Sequence, residues 1–377
     1  MALTKYKLGD LIQLLDNRNT ELIYGIDDVR GVNNLKELMP TKADISGRDL
    51  SKFQIVYPDE FVFNHRTSRN GSKFSIAYND METPVICTED YVVFRITDEA
   101  KQKILLARWL YMFFKRSEFD RYVITNSWGS STEFFNWEDI CEIDIDLPPL
   151  NIQQKYVDVY NAMLVNQQSY ERGLEDLKIA FDSILDKEKH HAHTIAVGEL
   201  LNEIDNRNSD GTIEDIEGIN ITKQFMPTVA NTTDINLNRY KIVQNNQIAY
   251  SGMQTGRDKC IRIALQTSDK PIIVSPAYTV FEVKKDLVLP EFIMMWFSRE
   301  ESDRRGWFMS DSSVRSNLDL DRFYEIEIPI PSIDEQKAIV DIYRAYIDRR
   351  SISNRLKERI KSMCPILIKG SLEEAGA

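Results

Sequence analysis

Two spacings of apolar residues alternate along the chain. Short runs rich in β-branched and aromatic residues come first: FQIVY (53–57), EFVFN (60–64), FSIAY (74–78) and YVVFRI (91–96). Gly, Pro, Asn and Asp punctuate them, and such runs predict strands. ILLARWLYMFFKR (104–116) is rich in Trp, Phe and Leu and predicts a helix. IDIDLPP (143–149) alternates as a strand does, and its prolines stop it. The spacing then changes. From Ile152 to about Lys187 there is no proline and one glycine, Gly173. Tyr156, Tyr160, Met163, Gln167, Tyr170, Leu174, Leu177, Phe181 and Ile184 recur at intervals of four and three. All but Gln167 can pack apolar surface, so this is a sustained heptad seam on a helix that needs a partner.

The whole pattern then repeats. LGDLIQLLDNRN (8–19) returns as VGELLNEIDNRN (197–208), and residues 8–16 and 197–205 are expected to be short amphipathic helices. YKIV, NQIAY, CIRIAL, PIIVS and YTVFEV (240–283) are the strands of the second copy, and PEFIMMWFSRE (290–300) is its helix. EIDIDLPPLNIQQKYVDVY (142–160) returns as EIEIPIPSIDEQKAIVDIY (325–343). Ile339, Ile342, Tyr346, Arg349, Ser353, Leu356, Ile360, Met363 and Leu367 make a second seam, broken by Arg349 and Ser353. A repeat of roughly 185 residues is domain-sized, not a solenoid unit. The expected fold is α/β (α+β). Two tandem globular modules, 1–150 and 191–332, are joined by long helices, 151–190 and 333–377, that pack antiparallel in a pseudo-two-fold molecule. A helix of about 35 residues spans roughly 50 Å, long enough to hold two modules well apart.

Composition narrows the function mostly by exclusion. No apolar stretch at the N-terminus is long enough for a signal peptide, and none elsewhere for a membrane span, so a cytoplasmic protein is expected. Cys87, Cys141, Cys260 and Cys364 are far apart and form no C-x-x-C pair, which removes zinc and redox motifs. There is no phosphate loop, no G-x-G-x-x-G and no Asp/Asn-Pro-Pro-aromatic loop. Pro58-Asp59 followed by Glu99-Ala100-Lys101 resembles a metal-dependent nuclease motif, but both pieces are common and have no counterpart in the second copy. His190, His191 and His193 fall between the modules and read as a solvated linker. The net charge of −12 argues against a uniformly basic DNA-binding surface, although a binding face can be local.

Two basic islands interrupt the acidic background at the same place in each copy. RTSRNGSK carries Arg66, Ser68, Arg69, Asn70 and Lys73; SGMQTGRDK carries Gln254, Arg257 and Lys259. Each is expected as a loop between strands. Arg, Gln, Asn and Ser read base edges, and Lys and Arg hold phosphates. TNSWGSST (125–132) and MSDSSVRSN (309–317), the latter with Arg315, form a third pair of polar loops. The copies differ most in these loops.

The ordered set of motifs resembles the specificity (S) subunit of type I restriction-modification enzymes. Its residues are the two openings LGDLIQLLDNRN and VGELLNEIDNRN, then GINIT (218–222), YKIVQNNQIAYSGM (240–253), VSPAYTVFEV (274–283) and IEIPIPSIDEQKAIV (326–340), with IDIDLPPLNIQQKYV as the weaker first copy. The resemblance implies two target recognition domains, each reading half of a bipartite double-stranded DNA sequence. It also implies two docked methyltransferase (M) subunits and further restriction (R) subunits. No cofactor is implied for this chain; S-adenosylmethionine, ATP and Mg belong to the partner subunits. The chain itself would be non-catalytic. A stand-alone nuclease or methyltransferase and a protein–protein scaffold remain the alternatives.

Overall fold

The computed structural model describes residues 3–33, 35–41, 43–67, 73–129, 133–228, 236–311 and 316–376. The chain forms two compact units, Met1–Ser169 with Ser353–Ala377, and Tyr170–Ile352. In the first, strands β1 (Thr4–Lys7), β2 (Ile12–Leu15), β3 (Arg30–Val32), β4 (Leu38–Pro40), β5 (Gln54–Val56), β6 (Phe61–Asn64), β7 (Ile76–Tyr78), β8 (Val85–Cys87) and β9 (Tyr91–Ile96) come first. Helices α1 (Asp98–Lys103), α2 (Ala107–Phe114), α3 (Ser117–Thr125) and α4 (Trp137–Cys141) follow, then β10 (Asp144–Leu147) and the long helix α5 (Leu150–His191), which belongs to this unit as far as Ser169 and to the second from Tyr170. The central sheet runs β2-β9-β6-β7, and β1-β10, β3-β4 and β5-β8 are antiparallel pairs. Phe61, Phe63 and Phe94 of that sheet pack against Trp109, Leu110 and Phe114 of α2.

The second unit has the same plan. Its elements are β11 (His193–Ala196), α6 (Val197–Leu200), β12 (Leu201–Ile204), β13 (Glu217–Ile219), β14 (Phe225–Pro227), β15 (Lys241–Val243), β16 (Gln247–Ser251), α7 (Thr255–Asp258), β17 (Arg262–Leu265), β18 (Ile272–Val274) and β19 (Thr279–Val283). Then come α8 (Pro290–Phe297), α9 (Glu300–Met309), α10 (Leu320–Tyr324), β20 (Glu327–Ile330) and the long helix α11 (Ile333–Gly376), which belongs to this unit as far as Ile352 and to the first from Ser353. The sheet β12-β19-β16-β17 matches β2-β9-β6-β7 strand for strand, as do the three small pairs. The mixed α/β class and the two long helices are those expected. Among the described residues no helix is long and apolar enough to cross a membrane.

The opening of each repeat corrects the sequence reading. Residues 8–16 and 197–205 are not amphipathic helices. Each makes one helical turn (Leu8–Asp10; Val197–Leu200) and then becomes the edge strand β2 or β12. The apolar residues of LGDLIQLL suit either period, and a partner strand decides between them. Ile12 pairs with Ile96 and Leu15 with Val93, so the sheet supplies hydrogen bonds that a short helix would leave open at both ends. The histidines expected in a linker also sit elsewhere. His190 and His191 end α5, and His193 opens β11.

Each long helix is fastened by a buried glutamine in its first turn. Gln153 donates to the carbonyls of Ile104 and Pro148, both at 2.7 Å, and accepts from Leu106 N at 2.9 Å. Gln336 does the same with Leu287, Pro331 and Leu289. Both lie between the strand–proline exit and the helix behind it, where open backbone groups would otherwise be buried.

The heptad seams face each other antiparallel within each unit. In the first, Lys155 Nζ meets Glu374 at 2.7 Å, and Gln167 Nε2 donates to Ser353 Oγ at 3.2 Å. In the second, Phe181 packs edge-on against Tyr343 and Tyr346, with ring centroids at 5.9 and 5.5 Å. The polar breaks in the two seams thus answer one another. Gln167 pairs with Ser353, both buried. Arg349 lies over the Tyr170 ring at 5.5 Å and fills the space left by Gly173, where a Cβ would stand 2.1 Å from its guanidinium. Replacing Gln167 by Leu is expected to cost the first unit about 1–3 kcal/mol, and adding Ser353→Ala to recover part of it. Thermal denaturation of both single variants and the double checks this; strict additivity would mean that the two side chains do not interact.

Candidate nucleic-acid interface

In the first unit, the basic loop after β6 is zipped to the polar loop after α3. Thr67 N donates to Glu133 O at 2.9 Å, and Phe135 N to His65 O at 2.9 Å. Arg66 and Trp128 both bridge to Phe134. The Arg66 guanidinium reaches Asp90 at 3.5 Å, while its buried Nε finds no hydrogen-bond partner among the described residues. The His65 ring lies tilted against Phe134, with ring centroids 5.3 Å apart. Burial, then the neighbouring Arg66, holds the His65 imidazole below its ordinary pKa. Its neutral form is therefore favoured, and the positive charge of this loop rests on arginine and lysine. Trp128 is 73% exposed at the rim. Lys73, at the far end of the loop, is partly buried. Ser68, Arg69, Asn70 and Arg315 lie outside the described residues.

In the second unit, the corresponding segment is more than a loop. It holds a one-turn helix, α7, bracketed by Gln254 and Lys259 in the left-handed region (φ 61° and 50°). Non-glycine residues adopt that region rarely, so surrounding bonds must hold them there. Gln254 N donates to Asn317 Oδ1 at 3.1 Å, Gly256 N to Ser316 O at 2.8 Å, and Leu318 N to Gly252 O at 2.9 Å. This segment is thus joined to the one after α9, as in the first unit. Arg257 donates to Gln254 Oε1 at 2.9 Å and to Asp258 at 3.1 Å. Asp258 also pairs with Arg262. Burial raises the Asp258 carboxyl, but the two arginines outweigh it and leave the group below the usual range. Lys259 Nζ sits 4.7 Å from the centre of the Trp307 ring. Gln254, Arg257 and Lys259 are therefore brought together on one ordered turn.

A buried ion pair, which the sequence reading did not find, stands behind each basic segment. Lys36 and Lys223 occupy the turns of hairpins β3-β4 and β13-β14, both with positive φ and only 3% and 8% exposed. Lys36 Nζ reaches Asp120 Oδ1 at 2.6 Å and Phe114 O at 2.5 Å. Lys223 Nζ reaches Asp303 Oδ1 at 2.5 Å and Ile261 O at 2.9 Å. The same aspartate oxygens accept from Phe74 N at 3.0 Å and Ile261 N at 2.9 Å. Phe74 and Ile261 end the two basic segments, so each carboxylate ties a segment to a hairpin. Burial pushes the Lys36 ammonium below the ordinary lysine value, and Asp120 opposes it. The available signal was a lysine and an aspartate at matching places in both repeats. Surface lysines are too common for that to stand out.

The nuclease-like residues do not assemble. Asp59 is taken up by Lys101 at 2.7 Å and by the Tyr78 hydroxyl, while Glu99 pairs with Lys103 at 3.2 Å. Among the described residues no three His, Cys, Asp or Glu side chains converge as metal ligands would.

Comparison with known proteins gives the geometry its context. Residues 206–362 match the family "Type I restriction modification DNA specificity domain". The S subunit of a type I restriction-modification system from M. genitalium superposes with a TM-score of 0.56 at 16% identity, covering 100% of this chain and 96% of that one. An HsdS subunit from Thermoanaerobacter tengcongensis gives 0.38 at 12% identity, covering 99% and 97%. A chain from a structure on assembly and conformational transition of the type I R-M system gives 0.44 at 12%, covering 100% and 97%. No curated protein matches the sequence. Residues 206–362 are thus similar to the type I restriction modification DNA specificity domain, and along its whole length the chain has the fold seen in an S subunit.

Proposed function

We propose that this chain is the DNA-reading subunit of a type I restriction-modification complex, each unit recognising one half of a bipartite target. The observation that carries the reading is a construction made twice. In each unit a basic segment is joined to a polar one and braced by a buried Lys–Asp pair, while the side chains presented differ. A repeated frame with divergent contact residues suits a reader of two different half-sites. The charge is local, so the acidic net balance is no obstacle. Methylation and cleavage are assigned to M and R subunits, which carry S-adenosylmethionine, ATP and Mg. The chain is non-catalytic in this scheme. Asp59 and Glu99, the residues a nuclease would need, are each neutralised by a separate lysine.

The test is an exchange of residues 1–150 with those of a relative, followed by mapping of methylated sites in cells that also express the M subunits. The expected outcome is a new sequence in one half of the target and an unchanged other half. A change in both halves, or in neither, would sink the two-reader scheme.

A further inference from the structure

Helix α9 places an exposed aromatic arm beside the ordered turn of the second unit. Ser302 and Gly306, one turn apart, face inward and are buried. A Cβ on Gly306 would stand 2.4 Å from the Ile261 side chain, so the end of the basic segment lies directly on the helix. The opposite side is left open. Arg304, Arg305, Trp307 and Phe308 are all exposed, and Phe308 is 88% so. Residues three and four apart share a helix face, which puts both arginines beside Phe308.

The electrostatics of that face select among occupants. The acids of α9 are already engaged: Glu300 with Lys178 at 2.6 Å, Glu301 with Arg304, and Asp303 with Lys223. Arg305 and Lys259 add positive charge around the aromatic pair, and Lys259 lies over the Trp307 ring. An apolar protein surface would have to desolvate these cations without return. Duplex DNA meets both halves of the chemistry, with phosphates for the cations and base faces for the rings. The first unit has a related rim, in which Ile124 in the last turn of α3 and Trp128, which shares the bridge partner Phe134 with Arg66, are both exposed. A large apolar side chain therefore stands beside the basic segment in both units.

We propose that Phe308 is a wedge that packs between bases of the half-site read by the second unit, with Trp307 and Lys259 as its support. Apolar wedges of this kind unstack a base step and kink the duplex. The inference rests on the DNA-reading function above and names a contact that hydrogen-bonding residues alone would not make.

The experiment uses the full chain in complex with its M subunits and a duplex carrying the mapped methylation site. 2-Aminopurine is placed at successive positions of the second unit's half-site. Binding by the unaltered complex is expected to brighten one or two adjacent positions as a base loses its stacking. Phe308→Ala should abolish the brightening and weaken binding roughly 10- to 100-fold, while Phe308→Leu should retain part of both. The melting temperature should not move, because Phe308 lies outside the core. No brightening at any position with the unaltered complex would overturn the wedge, as would Phe308→Ala binding like the parent. Loss of M subunits instead of DNA from the Phe308→Ala complex would also overturn it and assign the face to a protein partner. Failure of the unaltered complex to methylate any site would instead overturn the DNA-reading function on which the wedge depends.

Discussion

Replacing Asp303 with alanine is expected to destabilise the second unit by about 3–5 kcal/mol, the range for breaking a buried ion pair by removing one partner. The change strands the Lys223 ammonium in a site only 8% exposed. It also leaves Ile261 N without its acceptor, at the point where the basic segment rejoins the sheet. The loss should therefore appear first between residues 252 and 261. Urea denaturation measures the stability, and limited proteolysis locates the loosened segment. Asp303→Asn keeps an acceptor for Ile261 and should cost less. Lys223→Met together with Asp303→Leu removes the stranded charge and should recover part of the loss, the rest remaining because Ile261 N still lacks its acceptor. An unaltered unfolding midpoint in Asp303→Ala would show that the pair braces nothing.

Phe181→Ala is the second large effect, with an expected cost of about 3–5 kcal/mol. The ring is fully buried, with Tyr343 and Tyr346 on α11 set edge-on against it. It belongs to the same core as Leu185, Val340 and the helix α8 residues Met294 and Phe297. Its removal opens a cavity where α5 meets α11 and the body of the second unit at once, so the surroundings have little freedom to collapse. Phe181→Leu leaves a smaller hole and should cost correspondingly less. Urea denaturation supplies the energy. If the helix pair also seats the M subunits, their co-purification with the chain should fall in parallel. A Phe181→Ala protein as stable as its parent would mean that the seam does not hold the second unit together.

The sequence by itself determined the elements whose evidence is local. YVVFRI and YTVFEV became β9 and β19 because alternating β-branched residues suit a half-buried sheet and little else. The stripe from Tyr156 to Ile184 became one face of α5, since a sustained heptad has no strand equivalent. The positions of the basic segments were also legible, because basic residues around glycine recur in register. What the sequence did not carry is which groups stand opposite one another. Residues 8–16 suit two periods, and only the presence of β9 made them a strand. Gln167 and Ser353 look like flaws in two separate seams until the helices face each other and the flaws become a hydrogen bond. Lys36 and Lys223 look like surface charges; the fold buries them, because Asp120 and Asp303, more than 75 residues away, offset their desolvation. Nothing in the sequence marks Phe308, and it is the packing of Gly306 against Ile261 that leaves it on the open side of α9. Spacing along a chain reports which face of an element is apolar. Tertiary structure decides what that face meets, because burial and pairing depend on residues far away in the sequence.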